Sequence, residues 1–90
     1  MSVYRAVTDV SATAAFPATP QVVIPIQPIE IAILNESSAN DAYASLNGIN
    51  DHAHLAPGAG ITFKQKCNQV WLRYGSLAAG PTNVAVIAES

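Results

Sequence analysis

Charge is what this chain has least of. Four Lys or Arg and six Asp or Glu are its only formally charged residues among 90, while half of the chain is apolar. An isolated small domain normally needs roughly a quarter to a third of its surface to be charged. Long apolar runs are missing too: no stretch approaches the roughly 18 residues a membrane-crossing helix requires, so lipid does not take up the apolar excess. The simplest cover is other protein. A subunit of an assembly, made of copies of itself or seated on a lattice, is the first expectation.

Positive charge is confined to Arg5, Lys64, Lys66 and Arg73, and the formal net charge is −2. No basic face exists to displace counterions from nucleic acid or to grip an anionic membrane, so no nucleic-acid and no membrane partner is expected. Cysteine occurs once, at Cys67, which closes no disulfide within the chain; a small domain without a cysteine framework fits folding in a reducing cytoplasm. The first residues lack the basic start and continuous apolar core of a secretory signal and read as mature protein. A Gly-rich phosphate cradle, a Ser or Cys nucleophile with base and orienter, and a paired-carboxylate cleft are all missing. Neither an enzyme nor a cofactor is expected.

What is present is punctuation. Residues 1–20 are rich in Ala, Thr and Ser and end at Pro17 and Pro20, with Tyr4, Val7, Val10 and Phe16 as isolated apolar points. Their β-branched and hydroxyl content opposes a stable helix, so an N-terminal arm over 1–20 is expected, an extended strand or irregular strap that docks on something, with a disordered tail as the plainer account. From Gln21 onward short alternating runs take over. Val22 to Ile26 carries Pro25 and suits an edge strand. Ile29 to Asn35 is the clearest strand, with Ile29, Ile31 and Ile33 on one face and Glu30, Ala32 and Leu34 on the other. Both faces are greasy, so the second needs a cover. Ala42 to Leu46 leads into Asn47-Gly48, and His52 to Leu55 ends at Pro57-Gly58. Ile61 to Cys67 and Val70 to Tyr74, joined at Asn68-Gln69, read as a hairpin, and Asn83 to Glu89 as the last strand. The fold class is therefore all-β: a small antiparallel β-sandwich or barrel of six to seven short strands over 21–90, behind the arm.

Four clusters have chemical potential. His52 and His54 project to one side of an extended segment and can pair on a metal, but no third ligand is in sight, and a polar loop or interface explains them better. Asp41, Asn47, Asn50 and Asp51 lack the spacing of a calcium loop and suit Asx turns. Trp71, Tyr43, Tyr74 and the two His can line a sugar-stacking platform, with a buried aromatic cluster as the plainer account. Cys67 lies on the apolar side of its strand, the place of an inert core thiol. No metal site is expected.

The run from Ile31 to Phe63 resembles a pattern in small virion structural proteins of tailed bacteriophages, of the capsid decoration or cement kind. An apolar strand is followed by Asn and Ser turn residues, a second strand ending at a Gly turn, a short His/Leu stretch, and a Pro-Gly turn into another strand. Its matching positions are Asn35, Ser37, Ser38, Asn40, Ser45, Gly48, His54, Leu55, Pro57, Gly58 and Thr62. The chain departs at Asn47, where an acidic residue often precedes the glycine. The resemblance implies a structural, non-enzymatic, multimeric virion protein that decorates heads or serves in tails and fibres; of these the expectation is a decoration protein, assembled in the host bacterial cytoplasm, that staples neighbouring major capsid subunits. Its partners would be itself, as a trimer or dimer, and the major capsid protein or another virion protein. Tyr4, Val7, Val10 and Phe16 in the arm, with Val22, Ile24 and Ile26 as a pairable edge, are the expected capsid-docking residues. Ala32, Leu34, Trp71 and Tyr74 are expected at the self-association surface. A tail, connector or fibre component, or a host-surface glycan-binding module, is the alternative.

Overall fold

The computed structural model describes residues 3–64, 66–75 and 81–90. Eight strands run through them: β1 (Val3–Asp9), β2 (Val22–Val23), β3 (Glu30–Asn35), β4 (Ala42–Ser45), β5 (Ala53–Leu55), β6 (Gly60–Phe63), β7 (Gln69–Tyr74) and β8 (Asn83–Glu89). They form two four-stranded antiparallel sheets, ordered β1-β8-β3-β6 and β2-β7-β4-β5. The chain is an all-β sandwich, and its strand order, with successive strands alternating between the sheets everywhere except at the β4–β5 hairpin, is that of a jelly roll. None of the described residues forms a helix long and apolar enough to cross a membrane.

Alternation builds the core. Inward positions of the first sheet supply Ile31, Ile33, Val84, Val86 and Ala88, and those of the second supply Val22, Ala42, Ala44, Ala53, Leu55, Val70 and Leu72. Each buried Val, Ile or Leu stabilises the fold by about 1.5–3 kcal/mol. Alanines dominate the inner side of β4 and β5, where Ala42 faces Leu55 and Ala44 faces Ala53. Small side chains there let the sheets approach closely, and the Cα trace is only 17 Å across its thinnest direction.

One end of the sandwich is closed by buried polar groups. Asn35 Nδ2 donates to the carbonyls of Asn40 (2.7 Å) and Leu55 (3.1 Å), while its Oδ1 accepts the Ser37 amide (3.0 Å). Asn40 Nδ2 in turn donates to Thr82 Oγ1 at 3.0 Å. These side chains do for a buried turn what water does for an exposed one, pairing backbone groups that the ladders leave over.

Several expectations are corrected. The strands number eight, and an N-terminal arm is not what residues 3–20 form. Val3–Asp9 pairs along its whole length with β8, and Val10 is wholly buried. Residues 11–20 then run against the second sheet: the Thr13 carbonyl accepts the Tyr74 amide, and the Gln21 side chain both accepts from and donates to the backbone of Leu72. A Val-rich segment with alternating sides found a partner in its own chain, because β8 offers a complementary edge. β6 and β7 are no hairpin either: β6 pairs with β3, and β7 with β2 and β4, so the turn at Asn68 crosses between sheets. Ile29 precedes β3 and is exposed, so only Ile31 and Ile33 of the three expected isoleucines reach the core.

Candidate functional site

Each sheet has an outward side, and the two sides differ in chemistry. On β1-β8-β3-β6 the register lines up Val7, Ala85, Leu34 and Gly60 as one row across the sheet, with Arg5, Ile87, Ala32 and Thr62 as the next. Val7 is 44% and Leu34 36% exposed, and Val3 at the start of β1 is exposed as well. Ala85 points outward yet has no exposed surface. The register explains it: the line from Arg5 on β1 to Glu36 just past β3 passes over Ala85, and Arg5 Nη2 meets Glu36 Oε2 at 3.2 Å. So exposed an ion pair adds little stability. Its stem instead keeps the middle of an apolar stripe dry.

At one end of this face Asp9 acts as a local staple. Its Oδ1 accepts the amides of Ser11 (3.0 Å) and Thr82 (3.1 Å). The Ser11 amide, then the Ser11 hydroxyl, then the Thr82 amide hold the Asp9 carboxyl below its ordinary value, against a small opposing effect of desolvation.

The outward side of β2-β7-β4-β5 is aromatic and cationic. Arg73, Tyr43 and His54 stand opposite one another on β7, β4 and β5. The Arg73 guanidinium lies 4.1 Å from the Tyr43 ring centroid and 5.4 Å from that of Phe16, and His54 stacks on Tyr43 at 4.7 Å. Asp51 pairs with Arg73 at 2.9 Å and Asp41 with His54 at 3.1 Å. Tyr43 therefore has a neighbour on each side. Trp71 faces the same way but is only 9% exposed, roofed by the β4–β5 loop, and Tyr74 points inward against the core. The three rings expected to make a sugar-stacking platform are thus dispersed: one is flanked, one roofed and one turned in.

The remaining candidates fall as follows. Val10, Val22 and Ile24, expected to dock on a capsid, are at most 2% exposed and belong to the chain's own core; an apolar side chain already buried has nothing left to offer a partner. Tyr4 and Ile26 are half-buried against that core, and Phe16 is held by Arg73. Of the docking residues only Val7 is exposed on the outward face. Ala32 and Leu34 lie on that same face, whereas Trp71 and Tyr74 belong to the opposite sheet, so the expected self-association set divides in two. His52 and His54 do not converge: His52 Nδ1 accepts the Leu46 amide and His54 turns to Asp41. Among the described residues no group of three His, Cys, Asp or Glu is placed to hold a metal. Cys67 is half-buried, its thiol 3.2 Å from the Gln69 carbonyl.

Sequence reasoning missed Val3, Ile87 and Arg5 on the apolar face, and Ile49. Ile49, 81% exposed, tips a loop whose Asn47 Oδ1 accepts the amides of both Ile49 and Asn50. An isoleucine between Asn-Gly and Asn-Asp was a usable signal, since nothing in a polar turn calls for one. The β1 residues gave no such signal, because the segment was expected outside the sheet.

No family model matches this chain, and no curated protein matches it significantly.

Proposed function

We propose that the chain is a non-enzymatic structural subunit of a tailed-bacteriophage virion, an oligomeric decoration or cement protein that staples neighbouring major capsid subunits. One observation carries the reading: Val3, Val7 and Leu34 stay exposed on the outward side of β1-β8-β3-β6, around an Ala85 that the Arg5–Glu36 pair covers, on a chain with only ten charged residues. A flat sheet face suits a protein surface rather than a small molecule, for which a concave site is the rule. The resemblance of Ile31 to Phe63 to small virion proteins supplies the kind of partner. Jelly rolls also serve as lectins and cupins, so the architecture is compatible with the reading without selecting it.

In this account the outward side of β1-β8-β3-β6 does the docking that a free arm was expected to do. Val7 and Leu34 enter shallow apolar depressions on the major capsid protein, and Val3 and Ile87 widen the contact. Modest affinity at each contact suffices, because an oligomer on a lattice engages several sites at once. The aromatic and cationic side then faces away, stiffened by its Arg73 stack. The same surface can serve in a tail, connector or fibre, where only the neighbour differs.

The test uses the purified chain and empty heads that lack tails. Saturable co-sedimentation with heads, lost in Leu34→Lys, supports decoration. Binding to isolated tails but not to heads moves the chain to the tail or fibre. Binding of labelled glycans, lost in His54→Ala or Trp71→Ala but kept in Leu34→Lys, replaces the proposal with a glycan-binding module.

A further inference from the structure

We infer that two copies of this chain join through the open edges of their β1 strands, in the register that sets Val7 against Val7 and Arg5 against Asp9. The result is one continuous eight-stranded sheet.

A sandwich of two open sheets has four edges, and three are blunted. β2 is two residues long, between Pro20 and Pro25; β5 is three residues long; β6 begins at Gly60 and is followed by Lys64 and Lys66. Short strands, prolines and lysines are what keep edges from pairing. β1 has none of these protections. It runs for seven residues at the end of its sheet, without Pro, Gly or Lys.

Its free hydrogen-bonding groups can be assigned. The Val10 amide donates to the Thr82 carbonyl at 2.9 Å, so even-numbered residues of this strand turn their N–H and C=O toward β8. Val3, Arg5, Val7 and Asp9 turn theirs to the open edge. A two-fold pairing must match these odd residues with one another, which leaves few registers. One centred on Arg5 or on Asp9 sets like charges opposite each other. One centred on Ala6 or Thr8 sets each charged residue against a valine or outside the strand. Only the register centred on Val7 places Arg5 opposite Asp9, twice, and its three odd pairs exchange about six backbone hydrogen bonds.

That register has a second property. With the two-fold axis along the sheet normal, both outward faces stay on one side, and the row Leu34–Ala85–Val7 of one copy runs straight into Val7–Ala85–Leu34 of the other. The two rows join into one row of apolar residues across the six inner strands, three from each copy. In the use of this row for docking, the inference rests on the assembly reading above; the pairing itself rests on the edge.

The experiment is sedimentation equilibrium over a range of concentrations, joined to amide hydrogen exchange. The wild-type chain is expected to reach twice its 9.4 kDa mass. Val7→Pro deletes an outward N–H and no bond to β8, and is expected to stay monomeric. Arg5→Glu, which gives up only a weak surface pair with Glu36 within the chain but sets like charges opposite each other across the edge, is expected to weaken self-association at least tenfold. Leu34→Lys, two strands from the edge, is expected to remain dimeric while losing heads. The amides of Arg5, Val7 and Asp9 should exchange more slowly as concentration rises, whereas those of Ala6 and Thr8 stay slow throughout. A wild-type monomer at every concentration overturns the inference, as does a trimer. So does a dimer that persists in both Val7→Pro and Arg5→Glu with the odd amides still fast. A dimer with these edge properties that ignores heads overturns the proposed function and leaves the edge pairing standing.

Discussion

Gly48 lies against the indole of Trp71 so closely that a Cβ on the glycine would sit 2.8 Å from Trp71 Cε2, and its φ of 76° is one that side chains rarely adopt. The β4–β5 loop thus roofs an outward-facing tryptophan, and the roof depends on a residue without a side chain. Gly48→Ala is predicted to destabilise the fold by about 2–4 kcal/mol, combining the left-handed backbone penalty with overpacking. Urea denaturation followed by Trp71 fluorescence measures it. A change under about 0.5 kcal/mol would mean that the loop does not sit on the ring.

Asn35 holds the closed end of the sandwich. Its amide serves two buried carbonyls and one buried amide, so Asn35→Ala leaves those groups without partners. Each orphan costs about 1–3 kcal/mol, and a loss of about 3 kcal/mol or more is predicted in the same denaturation assay. Ser38→Ala, on the exposed side of the same turn, is the control and should cost little.

The Asp9 carboxyl predicts an acid limb in stability. Its value in the folded chain is lowered from 3.8, so its contribution is complete above 3.8 and disappears as pH falls through the lower folded value. Urea midpoints measured from neutral pH down through 3.8 should fall in the wild type and fall less steeply in Asp9→Asn. Parallel curves would show that the Ser11 and Thr82 amides do not bind the charged form preferentially.

The Arg73 stack ties residues 11–20 to the second sheet. Arg73→Ala removes the cation that contacts both the Phe16 and Tyr43 rings and breaks the Asp51 pair; a loss of about 1–2 kcal/mol is predicted. Arg73→Lys keeps the charge but not the planar group that lies on a ring, so it restores only part. The ring proton shifts of Phe16 in NMR spectra report whether the stack is lost.

Period-two alternation made most strands readable. Ile31 and Ile33 against Ala32 and Leu34, or Val70 and Leu72 against Trp71 and Arg73, declare both strand and face in sequence, and the structure puts them there. Turn chemistry declared where strands end but not where the chain goes next. Asn68 stops a strand equally well whether the next one returns alongside or crosses to the other sheet, which is why β6 and β7 looked like a hairpin. Val3 to Asp9 was half readable: its β-branched content declared extended backbone, but Arg5 and Asp9 interrupt the valines on its outward side and its inward side carries only Tyr4, Ala6 and Thr8, so nothing in its pattern assigned it to the edge of β8. The outward apolar stripe was half visible, in Ala32 and Leu34; Val7 and Ala85 join them through a pairing that no local pattern announces.

The central claim is that protein covers the outward side of β1-β8-β3-β6. A near-atomic image of an assembled particle carrying this chain measures it directly. The account predicts Val7, Leu34 and Ile87 packed beneath a neighbouring subunit, with the Arg73–Tyr43 side toward solvent. A particle in which that apolar face meets only water, and the chain is held by its opposite sheet, would contradict it.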